Sequence, residues 1–97
     1  MQEKSDFSYF VYVLFSLKDE KLYIGYTTNL ELRLIEHNSG RVTSTKDRRP
    51  FQLIYHETFT NRQDARAREI FLKSGFGRNQ LKKALKETLS RLGYKNL

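Results

Sequence analysis

The stretch YIGYTTNLELRLIEHNSG, from Tyr23 to Gly40, decides the fold because it places a strand, a turn and a helix in immediate succession. The run KLYIGYT, residues 21–27, predicts a strand. The quartet TNLE, residues 28–31, matches a capping box and predicts that its threonine caps a helix running to about Asn38. Gly40 suits a left-handed stop after that helix.

The flanking segments supply two more strands. SYFVYVLFS, residues 8–16, is apolar at consecutive positions, which predicts a central strand covered on both faces and paired as a hairpin with residues 21–27. FQLIYHETF, residues 51–59, predicts a third strand. Between the helix and that strand, RVTSTKDRRP, residues 41–50, is polar and basic and predicts a loop.

The C-terminal part predicts two helices. TNRQ, residues 60–63, is a second capping-box match that opens a helix to about Ser74, and GFG, residues 75–77, predicts its break. Spaced leucines up to Leu92 predict an amphipathic third helix. The order β-β-α-β-α-α predicts a small α/β sandwich, with a three-stranded, mainly antiparallel sheet flanked by helices. We expect one domain over residues 9–92, with a flexible N-terminal tail over 1–8 and a C-terminal tail over 93–97.

The amino-acid composition favours one kind of binding partner and excludes several kinds of site. The 97 residues contain 18 Lys plus Arg against 11 Asp plus Glu, a formal charge of +7 that favours a polyanionic partner. The chain has no cysteine, which excludes disulfides, thiolate metal sites and cysteine nucleophiles. Its polar start and short apolar runs predict a cytoplasmic protein with no membrane association.

Polar groups accompany apolar ones in the first helix. At 100° per residue, Leu30, Arg33, Leu34 and His37 share one side, whereas Leu32 and Ile35 fall on the other. Periodicity alone leaves open which side faces the core. An ordinary solvated face is the alternative to a functional site.

Two tyrosines and one glutamate complete the unusual residues. Tyr12 and Tyr23 are expected near each other across the hairpin, and Gly25 leaves room for something to approach the sheet. Glu69 shares a side of the second helix with Ala65 and Leu72. Taken singly, the tyrosines fit packing roles equally well, and the glutamate fits a surface ion pair.

The ordered set resembles the GIY-YIG nuclease domain family. VYV at residues 11–13, YIG at 23–25, the ending H-N-x-G at 37–40 and AREIFLKS at 67–74 carry the resemblance over roughly residues 9–75. Within that family, the chain is similar to the N-terminal endonuclease domain found in excinucleases. It departs from some relatives at residue 26, which is Tyr where they have Lys; Lys46 is then a candidate cation for Tyr12.

The resemblance implies roles for five residues. Tyr12 would be the general base, Tyr23 would orient water or phosphate, and Arg33 would contact the scissile phosphate. His37 would orient the nucleophile or shuttle a proton. Glu69 would hold one divalent ion, Mg²⁺ or Mn²⁺, completed by waters and phosphate oxygens.

The implied partner is nucleic acid, in the first instance DNA. Lys46, Arg48 and Arg49 in the basic loop are the expected phosphate contacts, and Asn79 matches a contributing asparagine of some relatives. The leading hypothesis is a metal-dependent DNA endonuclease of the repair or recombination type, selective for structure or targeted by a protein partner or a homodimer. The alternative is a nucleic-acid-binding module without catalysis, and a protein–protein adaptor has no positive support in the sequence.

Overall fold

The computed structural model describes residues 7–95. The elements are β1 (Tyr9–Ser16), β2 (Leu22–Thr27), α1 (Leu30–Asn38), a 3₁₀ turn (Lys46–Arg48), β3 (Phe51–Phe59), α2 (Arg62–Lys73), α3 (Gly75–Ala84) and α4 (Lys86–Leu92). The predicted α/β class and its antiparallel sheet are confirmed, with one helix more than expected. Most of the predicted N-terminal tail and the last two residues lie outside the described part of the chain.

The sheet places β1 in the centre. Its strand order is β2-β1-β3, and both pairings are antiparallel. Tyr12 lies opposite Gly25 on β2 and opposite His56 on β3. The hairpin and the central position predicted for residues 8–16 are therefore confirmed.

Helices cover both faces of β1, which explains why that strand lacks an alternating pattern. On one face, Val11, Val13 and Phe15 pack in a core that includes buried residues of α2, α3 and α4. On the other face, Tyr12 and Leu14 pack with a second cluster that includes residues of α1 and the start of β3. Side chains at alternate positions of β1 therefore enter two different clusters.

The inward side of α1 is the side that carries the polar pair. His37 is fully buried, whereas Leu32 and Ile35 are 47% and 53% exposed. Leu30 and Leu34 pack against the Tyr12 cluster. The structure thereby settles the choice that periodicity left open.

The helix starts differ from the predicted capping boxes by one residue. Asn29, not Thr28, caps α1, and its side chain accepts a hydrogen bond from the amide of Leu32. The Thr27 hydroxyl accepts from the Asn29 amide at 3.1 Å and turns the chain at the end of β2, which makes Asn29 the first capping position. Asn61 likewise caps α2 in place of Thr60.

The end predicted for α2 near Ser74 is confirmed, whereas the last predicted helix is divided in two. The chain turns at Ser74, which has ψ 166° and whose hydroxyl accepts from the Gly77 amide. The glycines form the first turn of α3 instead of a loop, and residue 77 has to be glycine because a Cβ there would overlap the Phe71 carbonyl. Leu85, with φ −108° and ψ 23°, divides the single predicted helix into α3 and α4.

The last described residues pack against the domain. Gly93 adopts φ 81° at the end of α4, and the Tyr94 amide donates to the Leu89 carbonyl. The Tyr94 ring packs against the larger core and lies under the Lys82 ammonium at 5.7 Å. Within residues 7–95, no helix is both long and apolar enough to cross a bilayer.

Gly25 is required by the ring of Tyr12. A Cβ at Gly25 would overlap the Tyr12 hydroxyl and the ring carbon that bears it. We expect Gly25→Ala to lower the free energy of unfolding by about 1–3 kcal/mol, because the buried ring has to move. Urea denaturation followed by circular dichroism measures the change.

Gly75→Ala is the matched control, since a Cβ there meets open space at the start of α3. We expect it to change stability by less than about 1 kcal/mol. Equal stabilities for the two variants would contradict the steric role of Gly25.

Candidate active site

Tyr12 lies at the middle of the central strand and is 2% exposed. Its ring centroid lies 6.2 Å from that of Tyr23 on the neighbouring strand. The absent side chain at Gly25 makes room for the Tyr12 phenol, so the space that the sequence indicated is filled by a residue of the chain itself. Both tyrosines therefore lie on the α1 side of the sheet.

His37 uses both ring nitrogens. Its Nε2 lies 2.8 Å from the Tyr12 hydroxyl, and its Nδ1 lies 2.7 Å from the Thr45 hydroxyl. The rings of Tyr12, Tyr23 and Phe51 surround the imidazole, with centroids 5.8, 5.0 and 5.7 Å from it. A buried polar ring is stable here because each nitrogen has a hydrogen-bond partner.

Asn38, the residue after His37, holds the start of β3. Its Nδ2 donates to the Phe51 carbonyl at 3.1 Å, and its Oδ1 accepts from the Phe51 amide at 2.7 Å. These two bonds fix Phe51 against the imidazole. The sequence pair His-Asn thus combines a site residue with a residue that positions one wall of the site.

Arg33 lies one helical turn before His37 on α1. Its Nη1 donates to Oε1 of Glu36 at 3.0 Å, and about a third of the side chain is exposed. The pKa of Arg33 is raised, first by hydrogen bonding to the Tyr12 hydroxyl and then by Glu36. Arg33 is therefore the cation beside Tyr12, while Lys46 is exposed on the 3₁₀ turn.

The electrostatics keep both central groups neutral. Burial raises the pKa of Tyr12 to about 12, although Arg33 opposes the shift. Burial, together with the charge of Arg33, lowers the pKa of His37 to about 4. At neutral pH Tyr12 is therefore a protonated phenol and His37 a neutral imidazole, a pair suited to proton exchange.

Glu69 lies on α2. Its side chain is 13% exposed and forms ion pairs with Lys73 at 2.9 Å and Arg66 at 3.5 Å. Its negative charge is the smallest of the contributions that raise the pKa of Tyr12. The side of α2 predicted to carry Ala65, Glu69 and Leu72 is the inward one, because Ala65 and Leu72 are buried.

Few side chains near the candidate site could act as ligands of a metal ion. In the described part of the chain, no three His, Asp or Glu side chains cluster as metal ligands. One carboxylate suits Mg²⁺ or Mn²⁺, which retain waters and bind substrate phosphate. Glu69 therefore fits an ion held mainly by substrate, and does not fit a permanently bound structural metal.

The three cations predicted in the basic loop have different environments. Arg48 contacts the β1–β2 turn through Asp19, with Nε to Oδ2 at 2.5 Å, and lies over the Phe51 ring. The Nε of Arg49 donates to the Lys46 carbonyl, and both residues are exposed. Asn79 is exposed on α3. Arg48 thus makes structural contacts, whereas the other two loop cations face solvent.

A groove of about 340 Å³ opens beside Arg33. It runs along the end of β2 to Arg62, the first residue of α2, and is also lined by Thr27 and Thr28. Residue 26, where some relatives have Lys, contributes a tyrosine ring that lies under the Arg66 guanidinium at 4.8 Å. Sequence reasoning missed Arg62 and Thr45, because the signals around them, a capping box at residues 60–63 and a polar loop at 41–50, point to local structure and not to a site.

Hairpin tyrosines, an arginine and a histidine on one helix and a glutamate on another are the residue types that the resemblance to the GIY-YIG family implies for its site. A family model described as the GIY-YIG catalytic domain matches residues 8–83. The chain therefore belongs to the GIY-YIG family, whose domains are typically metal-using endonucleases that bind nucleic acid.

The similar proteins are small proteins named UPF0213, a name that states no activity. One from the ldhD 5′ region of Pediococcus acidilactici is 41% identical over 85 residues, covering 84% of this chain and 86% of the relative. Another from Staphylococcus haemolyticus is 42% identical and covers 81% and 95%. The solution NMR structure of a UPF0213 protein from Bacillus halodurans matches with 32% identity and a TM-score of 0.51, covering 79% and 84%.

The depressed pKa of His37 predicts a pH-dependent stability. Between the ordinary value of 6.5 and about 4, the unfolded chain binds a proton at His37 that the folded chain excludes. This contribution to stability is present above pH 6.5 and is lost as the pH falls towards 4. We expect wild type to lose on the order of 3 kcal/mol more than His37→Gln over this interval.

Urea unfolding of both proteins at several pH values measures the difference. Carboxylate titrations are common to both proteins and cancel in the comparison. If the free energies of unfolding of wild type and His37→Gln changed equally with pH, His37 would not be held neutral by the fold.

Proposed function

We propose that this protein is a metal-dependent endonuclease that hydrolyses DNA phosphodiester bonds. One observation carries the proposal: the buried Tyr12 hydroxyl lies 2.8 Å from Nε2 of His37, and Arg33, one turn earlier on the same helix, is the cation that acts on both groups. A purely structural tyrosine does not require a neutral imidazole on one side and a cation on the other. Phosphodiester hydrolysis requires deprotonation of water and stabilisation of the charge on the phosphate and the leaving oxygen, and Tyr12 with His37, Arg33 and a metal ion at Glu69 would supply these functions.

The proton path follows from the protonation states. As water attacks phosphorus, its proton passes to the Tyr12 oxygen while the Tyr12 proton passes to Nε2 of His37. The tyrosine ends neutral and the histidine ends as imidazolium, so Tyr12 acts as a base without first becoming a phenolate. This path avoids the cost of ionising a phenol whose pKa is about 12.

Substrate binding removes an obstacle to this step. The positive charge of Arg33 disfavours an imidazolium in the resting site. When Arg33 binds the scissile phosphate, the anion compensates that charge, and His37 accepts a proton more readily. Arg33 thus binds the phosphate and also makes the base stronger when substrate is present. Tyr23, whose ring contacts both Tyr12 and His37, limits the space open to water.

Glu69 would hold the divalent ion. When bound, Mg²⁺ or Mn²⁺ would stabilise negative charge on the phosphate and on the leaving oxygen. Lys73 and Arg66 neutralise the carboxylate in the free protein. A single neutralised ligand supports weak metal binding until phosphate oxygens are present.

The substrate surface carries groups that contact phosphate and sugar. Arg62, Thr27 and Thr28 line the groove beside Arg33, and we place further phosphate contacts at Lys46 and Arg49. Such contacts position nucleic acid without identifying its bases. We therefore propose selection by DNA structure, or targeting by a protein partner or homodimer, in cytoplasmic repair or recombination. Asn79 is a proposed contact on the basis of the family resemblance.

A binding module without catalysis is the second candidate. Both carboxylate oxygens of Glu69 are engaged in ion pairs, so the protein would have to rearrange them to hold a metal. If Lys73 retains the carboxylate when DNA binds, the same surface binds nucleic acid without cutting it. Cleavage and binding must therefore be measured separately.

Cleavage of labelled duplex, single-stranded, flapped and branched DNAs with Mn²⁺, Mg²⁺ or EDTA tests the proposal. We expect metal-dependent cleavage that falls by about 10²-fold or more in Tyr12→Phe, which lacks the transferred proton. Glu69→Ala should fall at least as far. Glu87→Ala is the matched control, because Glu87 is exposed on α4 and lies away from the site.

Binding of the same DNAs is followed by fluorescence anisotropy. Full cleavage by folded Glu69→Ala would contradict the mechanism. Salt-sensitive binding without cleavage by wild type, on every DNA and with either metal, would favour the binding module.

If Lys46 and Arg49 contact phosphates, the affinity for DNA depends on the salt concentration through these two residues. Each lost phosphate contact lowers the slope of log K against log salt by about 0.9 on duplex DNA. We expect Lys46→Gln/Arg49→Gln to reduce the slope by about 2. Lys83→Gln/Lys86→Gln removes the same charge from α3 and α4, and an equal reduction there would show that only net charge matters.

A further inference from the structure

Thr45 is a buried residue in a polar loop. It is fully buried, although the loop between α1 and β3 is otherwise largely exposed. It directly precedes the 3₁₀ turn that carries Lys46 and Arg48. Its hydroxyl lies 2.7 Å from Nδ1 of His37. Within residues 39–50, which the structure describes throughout, the one fully buried side chain therefore contacts the imidazole on the side opposite Tyr12.

The direction of this hydrogen bond follows from the other partner of Thr45. The hydroxyl donates its single proton to the Val42 carbonyl, at 3.5 Å. The same carbonyl accepts from the Thr45 amide at 3.0 Å, which fixes the threonine in a tight turn. With its proton directed to Val42, the Thr45 oxygen accepts from Nδ1–H of His37.

The opposite end of the imidazole gives the same direction. Within residues 7–95, the acceptor for the proton of the buried Tyr12 hydroxyl is Nε2 of His37, at 2.8 Å. A nitrogen that accepts this proton carries no hydrogen of its own. With Nε2 protonated instead, the Tyr12 proton would lose its buried acceptor.

We propose that Thr45 is a positioning residue that holds neutral His37 as the Nδ1–H tautomer, with Nε2 free to accept the proton of Tyr12. The hydrogen bonds then run from Tyr12 to His37, from His37 to Thr45 and from Thr45 to Val42. The importance of this tautomer for cleavage rests on the proposed function. The tautomer itself is a property of the folded chain and is measurable without substrate.

Nuclear magnetic resonance of ¹⁵N-labelled protein at neutral pH tests the assignment directly. Long-range ¹H–¹⁵N correlations identify which ring nitrogen carries the proton, and His37→Gln identifies the signals. We expect Nδ1–H in wild type and in Thr45→Ser, which retains the hydroxyl. In Thr45→Val, which has a similar shape but no acceptor, we expect Nε2–H to become the main form.

The cleavage assay supplies the second readout. We expect Thr45→Val to lower kcat by about 10²-fold, and Thr45→Ser to restore activity to within several-fold of wild type. Nε2–H in wild type, or Nδ1–H unchanged in folded Thr45→Val, would overturn the proposal. So would equal kcat values for wild type and Thr45→Val.

The two proposals fail in distinguishable ways. A wild type that cleaves none of the DNAs contradicts the nuclease proposal, while the NMR spectra still decide the tautomer. If Thr45→Val does not fold, the wild-type and Thr45→Ser spectra test the same assignment. A wild type that cleaves DNA with His37 as Nε2–H would overturn the role of Thr45 and leave the nuclease intact.

Discussion

The hydrogen bond between the Tyr12 hydroxyl and Nε2 of His37 is the contact on which the arrangement of the domain depends. A buried imidazole is costly unless both nitrogens are paired, and here each pairing imposes a condition on the chain. The first requires a residue without a side chain at Gly25, so that the phenol fits against β2. The second requires the loop after α1 to turn inward at Thr45. Strand, helix and loop are thus fixed around one ring.

Arg33 gives the site two electrostatic states. In the free protein its charge opposes protonation of His37, and burial acts in the same direction. A phosphate bound to the guanidinium would compensate that charge. In the proposed mechanism, the base would then be weak before substrate arrives and stronger afterwards. The partly exposed ion pair with Glu36 suits this role, since an exposed pair is easily exchanged for a stronger anion.

Sequence reasoning identified the strands, the proximity of Tyr12 and Tyr23 across the hairpin and the shared side of Arg33 and His37 on α1. It succeeded where one local rule dominates, as with the apolar run of β1 or the spacing of Arg33 and His37. The N-caps were wrong by one residue because Thr27 and Asn29 interact through a turn that a capping box does not contain. The division between α3 and α4 at Leu85 was not predicted, because no Gly or Pro lies near that position in the sequence.

The features that could not be predicted from the sequence depend on contacts between residues far apart in the chain. Thr45 meets His37 only after the loop folds back, and no pattern distinguishes it from the other hydroxyl residues nearby. In the sequence, Arg48 and Lys46 are equivalent cations of one basic segment. In the structure, Arg48 pairs with Asp19 of the β1–β2 turn, whereas Lys46 is exposed. Assigning a role to each site residue likewise drew on family resemblance, since tyrosine, arginine and glutamate occur in ordinary packing and ion pairs as well.

The Asn38 amide has a consequence beyond the walls of the site. β3 is an edge strand, and the open edge of a sheet is a template for strand addition by another chain. By bonding both the amide and the carbonyl of Phe51, Asn38 imitates a neighbouring strand at the first residue of β3. A strand adding along that edge would have to displace this side chain before it could pair there. The residue that follows His37 thus also opposes edge-to-edge association of the sheet.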